Sequence, residues 1–289
     1  MTADPITASL FNDLPKLSLF EHYTTIGSTN DRARELAAQG APEIALVVAD
    51  EQLAGRGRRG RSWYTPPGTA LAFSLLTRPA IAAQHAMRLT MLAGLAAVEG
   101  IEWATGLQLD LKWPNDVVIA INHSASLTTR KVGGILTECA FRGEVIEHAV
   151  IGIGLNVNVD FSQQRELRET ATSLMHLAGR EIDRRAVLKA VVAAWIDRYE
   201  WLGVESTPGA RSAQGVRSAQ GDAKADRLRA AWAARLINLQ RDLQVQLDDQ
   251  VVTGYAEGID DDGALLLRTA DHQLHRLLSG DVTLHDLNH

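Results

Sequence analysis

The chain is 289 residues long, 46% apolar and 22% charged, the ordinary balance of a globular fold with room for one large domain and a small one. Its 35 Asp and Glu against 29 Lys and Arg leave a net charge of -6, which argues against a surface built for general nucleic-acid binding. A single cysteine, Cys139, excludes an intramolecular disulfide and a cysteine-based metal cluster and fits a reducing, cytoplasmic setting.

Residues 1–16 carry Asp4, Pro5, Asp13 and Pro15 in place of a basic head and an apolar stretch, so they do not read as a signal peptide, and 1–20 is taken as an N-terminal lead. Ser28 with Asp31 three residues on, the stripe Ala33, Leu36 and Ala37, and the stop Gly40 predict a helix over 29–39. A short apolar run predicts a strand over 44–49. After it come a basic loop and Pro66-Pro67-Gly68, then a second strand over 70–76. The long apolar stretch 81–101 is broken by Gln84, His85, Arg88 and Glu99, which suits a buried helix over 81–103 better than a membrane span. Strands at 107–112, 117–121, 133–141 and 144–153 complete a mixed sheet. Helical patterns return at 184–202, with Asp183 as N-cap, and at 223–239. Between them 205–222 contains Arg-Ser-Ala-Gln-Gly twice, at 211–215 and 217–221, a polar repeat expected to be a disordered surface insertion. From Leu243 on, short alternating strands flank the turn Asp260-Asp261-Asp262-Gly263 and predict a small β-barrel.

Four constellations could carry chemistry. Gly55-Arg56-Gly57-Arg58-Arg59-Gly60-Arg61-Ser62-Trp63 joins backbone freedom to guanidinium forks that fit carboxylate or phosphate oxygens, or it is a solvated basic turn. Its glycines satisfy G-x-G-x-x-G literally, but prolines follow where a dinucleotide-binding fold would open a helix. Lys112-Trp113-Pro114-Asn115-Asp116 places a cation, an amide and a carboxylate in one turn, suited to a polyphosphate with its metal or serving only as a proline turn. Lys131-Val132-Gly133-Gly134 opens a strand against which a ligand could lie, or marks a β-bulge. Gly152-Ile153-Gly154-Leu155-Asn156 reads as a ligand floor or a plain sheet-edge turn. The nine histidines are scattered, with His85 and His148 read as packed or solvent-facing. Neither a zinc motif nor a nucleophile elbow is present.

In that order, Ser28-Thr29-Asn30 and the segments 52–63, 112–116, 131–136 and 152–156 resemble the biotin protein ligases. The terminal segment with Gly258, Ile259, Asp260 and Gly263 through Leu267 resembles that family's small C-terminal domain. The resemblance implies an α+β fold, with a mixed-sheet biotin/lipoate ligase-like catalytic domain over 21–240 and an SH3-like β-barrel over 241–289. It implies activation of biotin by ATP as biotinyl-5′-AMP, then transfer to a lysine of a biotin carboxyl carrier protein. Arg58, Lys131 and Asp116 are expected to be catalytic. Ser28, Thr29, Asn30, Gln52, Arg56, Gly57, Arg58 and Lys131 would surround biotin. Arg56, Arg58, Trp63, Lys112, Asn115, Asp116 and Asn156 would face the nucleotide, with Mg²⁺ on Asp116.

Some relatives carry an N-terminal helix-turn-helix, but only about twenty residues precede Glu21, so no DNA partner is expected, and no membrane. A homodimer is compatible with the reading. The connection 121–130, with Asn122-His123-Ser124-Ala125-Ser126, is longer than usual for the family. A lipoate or octanoate ligase or transferase of the same fold is the nearest rival, and a non-catalytic nucleic-acid-binding module using the arginine loop is a remote one.

Overall fold

The computed structural model describes residues 5–123, 126–203, 219–248 and 250–284. Its centre is a seven-stranded sheet of β1 (Leu19–Ile26), β2 (Ala45–Gln52), β3 (Leu71–Thr77), β4 (Asp110–Lys112), β5 (Asp116–His123), β6 (Ser126–Arg142) and β7 (Val145–Leu155), in the order β1-β2-β3-β7-β6-β5-β4. Only β1 and β2 run parallel, and α1 (Thr29–Ala38) is the crossover that such a pair requires. The remaining pairs are antiparallel, which makes the sheet mixed.

One face of this sheet is closed by α2 (Met87–Thr105) and α4 (Arg184–Arg198), joined by α5 (Ala219–Arg235). Leu89, Leu92, Leu95, Val98 and Ile101 of α2 are buried with Val187, Leu188, Val191 and Trp195 of α4, each such side chain contributing roughly 1.5–3 kcal/mol by leaving water. α2 starts later than its apolar run predicts. Residues 81–83 instead extend the β6–β7 hairpin, with Ile146 N donating to Ile81 O at 3.2 Å and Ala83 N to Glu144 O at 2.8 Å, and Ala83–His85 make a 3-10 turn before the helix. Among the described residues no helix is long and apolar enough to cross a membrane.

The lead is tied down, with Ile6 and Phe11 each 5% exposed in the main core. α5 begins four residues before its predicted start, so the end of the stretch 205–222 is helical, whereas 205–218 lies outside the described residues. Residues beyond Arg235 leave the helix because Ile237 N bonds Leu111 O at 3.0 Å and Asn238 Oδ1 accepts from Trp113 N at 2.9 Å.

The C-terminal unit is a five-stranded antiparallel sheet of β8 (Asp242–Gln246), β9 (Val251–Ile259), β10 (Leu265–Arg268), β11 (Leu274–Leu277) and β12 (Asp281–Leu284), in the order β11-β10-β9-β8-β12. Its inward residues Leu243, Val245, Ala256, Leu265 and Leu267 continue the main core. The turn at Asp260–Gly263 docks on the larger unit: Trp113 Nε1 donates to Gly263 O at 3.0 Å, and Asp262 Oδ1 lies 2.7 Å from His85 Nδ1.

Candidate active site

The sheet face away from α2 and α4 opens into a cavity of about 940 Å³. Its geometry starts with one extra residue in β6. Asp116 pairs with Gly134 and Val117 with Gly133, but Val118 pairs with Lys131, so Val132 is a β-bulge. Side chains alternate along regular strands, and the inserted residue resets that alternation so that Lys131 and Gly134 share a face with Asp116. Val132 turns into the core at 0% exposure. Lys131 Nζ then meets Asp116 Oδ1 at 2.6 Å. The two readings of Lys131-Val132-Gly133-Gly134 are therefore one: the bulge is what aims the lysine.

A second group gathers where α1 begins. Thr29 N and Oγ1 both donate to Gln52 Oε1, at 2.8 and 3.1 Å, which leaves Gln52 Nε2 as a donor toward the cavity. Ser74 Oγ lies 2.8 Å from Thr29 Oγ1 and 2.6 Å from Asn30 Oδ1. Asn30 Nδ2 donates to Glu138 Oε2 at 2.6 Å. Both ends of the Asn30 amide are thus engaged by protein groups. The Ser28 hydroxyl makes no capping bond and lines the cavity.

The basic run folds into a tight hairpin. Gly57 N donates to Arg61 O at 2.7 Å and Trp63 N to Gly55 O at 2.9 Å, around a short 3-10 turn at Arg58–Gly60. Its arginines have separate partners. Arg56 forks onto Asp31 at 2.8 and 2.6 Å, fixing the loop to α1, while Arg58 Nη1 donates to Asn115 Oδ1 at 3.0 Å. Asn115 is held by Nδ2 donating to Ile135 O at 2.9 Å. Burial pushes the Arg58 and Lys112 pKa values down, and the carboxylate of Asp116 works against that in both. Lys112 has no hydrogen-bond or ion-pair partner among the described residues.

Gly152 and Gly154 are roofed by the protein's own side chains. A Cβ on Gly154 would lie 2.4 Å from Trp63 Cε2, and one on Gly152 would lie 2.2 Å from Asn30 Oδ1. The Lys131 ammonium sits 5.6 Å from the Trp63 ring centroid. Asn156 Nδ2 donates to Thr172 O at 3.1 Å, and Lys131 N to Thr170 O at 2.8 Å. These bonds hang the irregular segment 161–171 over the far side, where Phe161, Gln164 and Leu167 form a wall that sequence patterns do not announce. Gln164 Nε2 ties it to Tyr64 Oη at 3.2 Å.

All the residues expected to bind biotin or the nucleotide line the same cavity: Ser28, Thr29, Asn30, Gln52, Arg56, Gly57, Arg58, Trp63, Lys112, Asn115, Asp116, Lys131 and Asn156. The 161–171 wall and Asp281 join them unannounced, with Ser74 bracing Thr29 and Asn30 from behind. No cluster of three or more His, Cys, Asp or Glu suited to a metal occurs among the described residues. A Mg²⁺ that keeps most of its water and is bound chiefly through phosphates needs few protein ligands, and Asp116 offers one carboxylate here.

The sequence pattern of the Biotin/lipoate A/B protein ligase family matches residues 23–156, and that of the Biotin protein ligase C terminal domain matches 244–284. The bifunctional ligase/repressor BirA of Bacillus subtilis (strain 168) is 35% identical over 91% of this chain and 73% of its own length. A biotin--[acetyl-CoA-carboxylase] ligase of Paracoccus denitrificans is 33% identical over 83% of this chain and 90% of its own. The fold is similar to that of the biotin protein ligase from Aquifex aeolicus in complex with biotin and ATP. There the TM-score is 0.68 at 24% identity, over 93% of this chain and 99% of that one.

Proposed function

This chain belongs to the biotin/lipoate A/B protein ligase family and is an ATP-dependent biotin ligase; we propose that both of its chemical steps take place in the cavity, on the residues that converge there. The observation that carries the assignment of roles is the meeting, in one cavity, of two unlike groups of side chains. Arg58, Lys112, Lys131 and Asp116 make a charged set, and Ser28, Thr29 and Gln52 make a polar one.

The polar set suits the ureido ring of biotin, which needs paired donors and acceptors. Gln52 Nε2 is a donor, and the Ser28 hydroxyl can serve as either. Asn30 braces this set rather than reaching out from it. The charged set suits the triphosphate. Biotin's carboxylate and ATP repel each other, and the reaction requires a carboxylate oxygen to attack the α-phosphorus while the bond to pyrophosphate breaks. Lys131 and Arg58 stabilise the charge that builds on the α-phosphate oxygens. Asp116 would hold a Mg²⁺ that accompanies the nucleotide, and that ion would supply further neutralisation.

In transfer, the amine of a carrier-protein lysine attacks the acyl carbon, the bond to AMP breaks and an amide forms. The incoming ammonium must first lose a proton, and Asp116 is our candidate to receive or orient it. The basic hairpin, with Trp63 at its base, keeps water from the acyl-adenylate.

The test is transfer of labelled biotin to a recombinant biotin carboxyl carrier domain, with and without ATP and Mg²⁺, beside Lys131→Ala. ATP-dependent labelling that disappears in the variant is expected. Labelling that survives the substitution would remove Lys131 from its role, and acceptance of lipoate or octanoate in place of biotin would move the chain to the sister activity.

A further inference from the structure

Asp281, the first residue of β12, lines the cavity although it belongs to the C-terminal sheet. Its Oδ2 accepts from Arg61, which also lines the cavity, and from Arg59 Nη1 at 3.3 Å. Arg59 further donates to Gln246 O at 3.3 Å and lies 3.2 Å from Asp248 Oδ1. Arg59 adopts φ 55, a left-handed conformation that a residue with a side chain keeps only where its surroundings hold it. The tip of the basic hairpin is therefore fastened to the C-terminal sheet.

The fastening is of an exchangeable kind. The side chains of Arg61 and Asp281 are 65% and 37% exposed, and ion pairs in that setting are weak. A polyphosphate offers several anionic oxygens where Asp281 offers one carboxylate. The neighbouring cations are preset for the larger anion: Arg58 is bonded only to a neutral amide and Lys112 has no partner among the described residues. The Asp281 carboxylate favours the charged forms of both. It thus does for the whole cation cluster what an entering phosphate would do.

We propose that Asp281 is a competitor built into the nucleotide site: its carboxylate holds Arg59 and Arg61 until a polyphosphate displaces it, which frees the hairpin tip from the C-terminal sheet. The inference takes from the proposed function only that a polyphosphate enters this cavity.

The test is a double-mutant cycle on the full chain, read by calorimetric titration with inorganic tripolyphosphate, without biotin. Asp281→Asn should bind tripolyphosphate roughly two- to fivefold more tightly than wild type, the range of an exposed ion pair. Asp281→Glu, which keeps the competitor, should bind like wild type. In an Arg59→Gln/Arg61→Gln background the gain from Asp281→Asn should vanish. Binding by Asp281→Asn that is unchanged or weaker overturns the proposal. So does a gain that persists without the two arginines, since that is general charge removal, and so does a wild type that binds no tripolyphosphate. Biotin transfer is scored separately, so failure of the ligase reading and failure of the competitor are told apart.

Discussion

Lys131 Nζ lies 2.6 Å from Asp116 Oδ1 because Val132 is one residue too many for the β5–β6 ladder. Without the bulge, Lys131 would fall on the face that packs against the helices. An ammonium there would meet Val117 and Leu155, both 0% exposed, at a severe desolvation cost. The strand irregularity and the Lys131–Asp116 ion pair are the same feature.

Lys131→Ala should lower adenylate formation by about 10²- to 10³-fold, the usual effect of removing one charge-stabilising donor. The fold should tolerate it, since the partners are 34% and 28% exposed and such pairs add only about 0–1 kcal/mol to stability. Biotin-dependent exchange of labelled pyrophosphate into ATP reads the first, thermal melting the second. A melting temperature that collapses together with activity would mean that the pair is structural.

Arg58→Ala removes the bond that closes the basic hairpin onto Asn115 while Arg56 still anchors its stem on Asp31. The fold should persist, but the adenylate should escape and label lysines on proteins other than the carrier. Bystander labelling in a mixture of carrier and an unrelated lysine-rich protein measures this. A variant that retains its adenylate like wild type would show that the hairpin is no lid.

The chemistry was more legible than the architecture around it. Ser28-Thr29-Asn30, the arginine run, Lys112–Asp116 and Lys131–Gly134 are contiguous, because each set of functional groups is presented by one turn or strand end. What stayed hidden is held by distant partners. The wall 161–171 has neither period nor motif and hangs on Lys131 and Asn156, and Asp281 arrives through the packing of another sheet. β1 escaped notice because its Leu19–Ile26 pattern is half-buried except at the exposed Thr24 and Thr25 and lacks a clean apolar alternation, and α3 (Leu174–Ala178) is too short to show a period. The predicted helix over 81–103 overran its start because apolarity alone cannot distinguish a helix turn from the extension of a hairpin.

Lys112 should give anion binding a pH dependence. Burial, the larger effect, holds its pKa below the ordinary lysine range, and an incoming phosphate raises it again by favouring the ammonium. Between the two values binding takes up a proton, so affinity falls as pH rises. The same shift works oppositely on folding. Through that window the unfolded chain binds more protons, so the stability of the ligand-free protein rises with pH in respect of this group. Tripolyphosphate titrations from pH ~7 to ~10 should show the decline, and Lys112→Met should bind more weakly at neutral pH with a flatter profile. An equal slope in the variant would assign the proton to another group.

Gly154→Ala separates the hairpin from the sheet that carries it. An added Cβ would lie 2.4 Å from Trp63 Cε2 and 2.5 Å from its Nε1, distances no packing tolerates, so either the strand or the indole must move. β7 is paired on both sides, with Gly154 opposite Ala72 and Gly134, whereas Trp63 is attached to a loop. The indole is therefore the part that yields. Overpacking of this kind costs about 1–3 kcal/mol, enough to displace the base of the hairpin without unfolding the protein. Displacement should free the Trp63 Nε1, which is buried without a hydrogen-bond partner, and should loosen the hairpin bonds that fix the chain around Arg58, Arg59 and Arg61. Faster tryptic cleavage within 58–61 and faster loss of bound adenylate are expected, with a melting temperature lowered by only a few degrees. A variant that is cleaved as slowly as wild type and keeps its adenylate would mean that the ring slides within its seat, and that Gly154 is needed for the ligand's own approach instead.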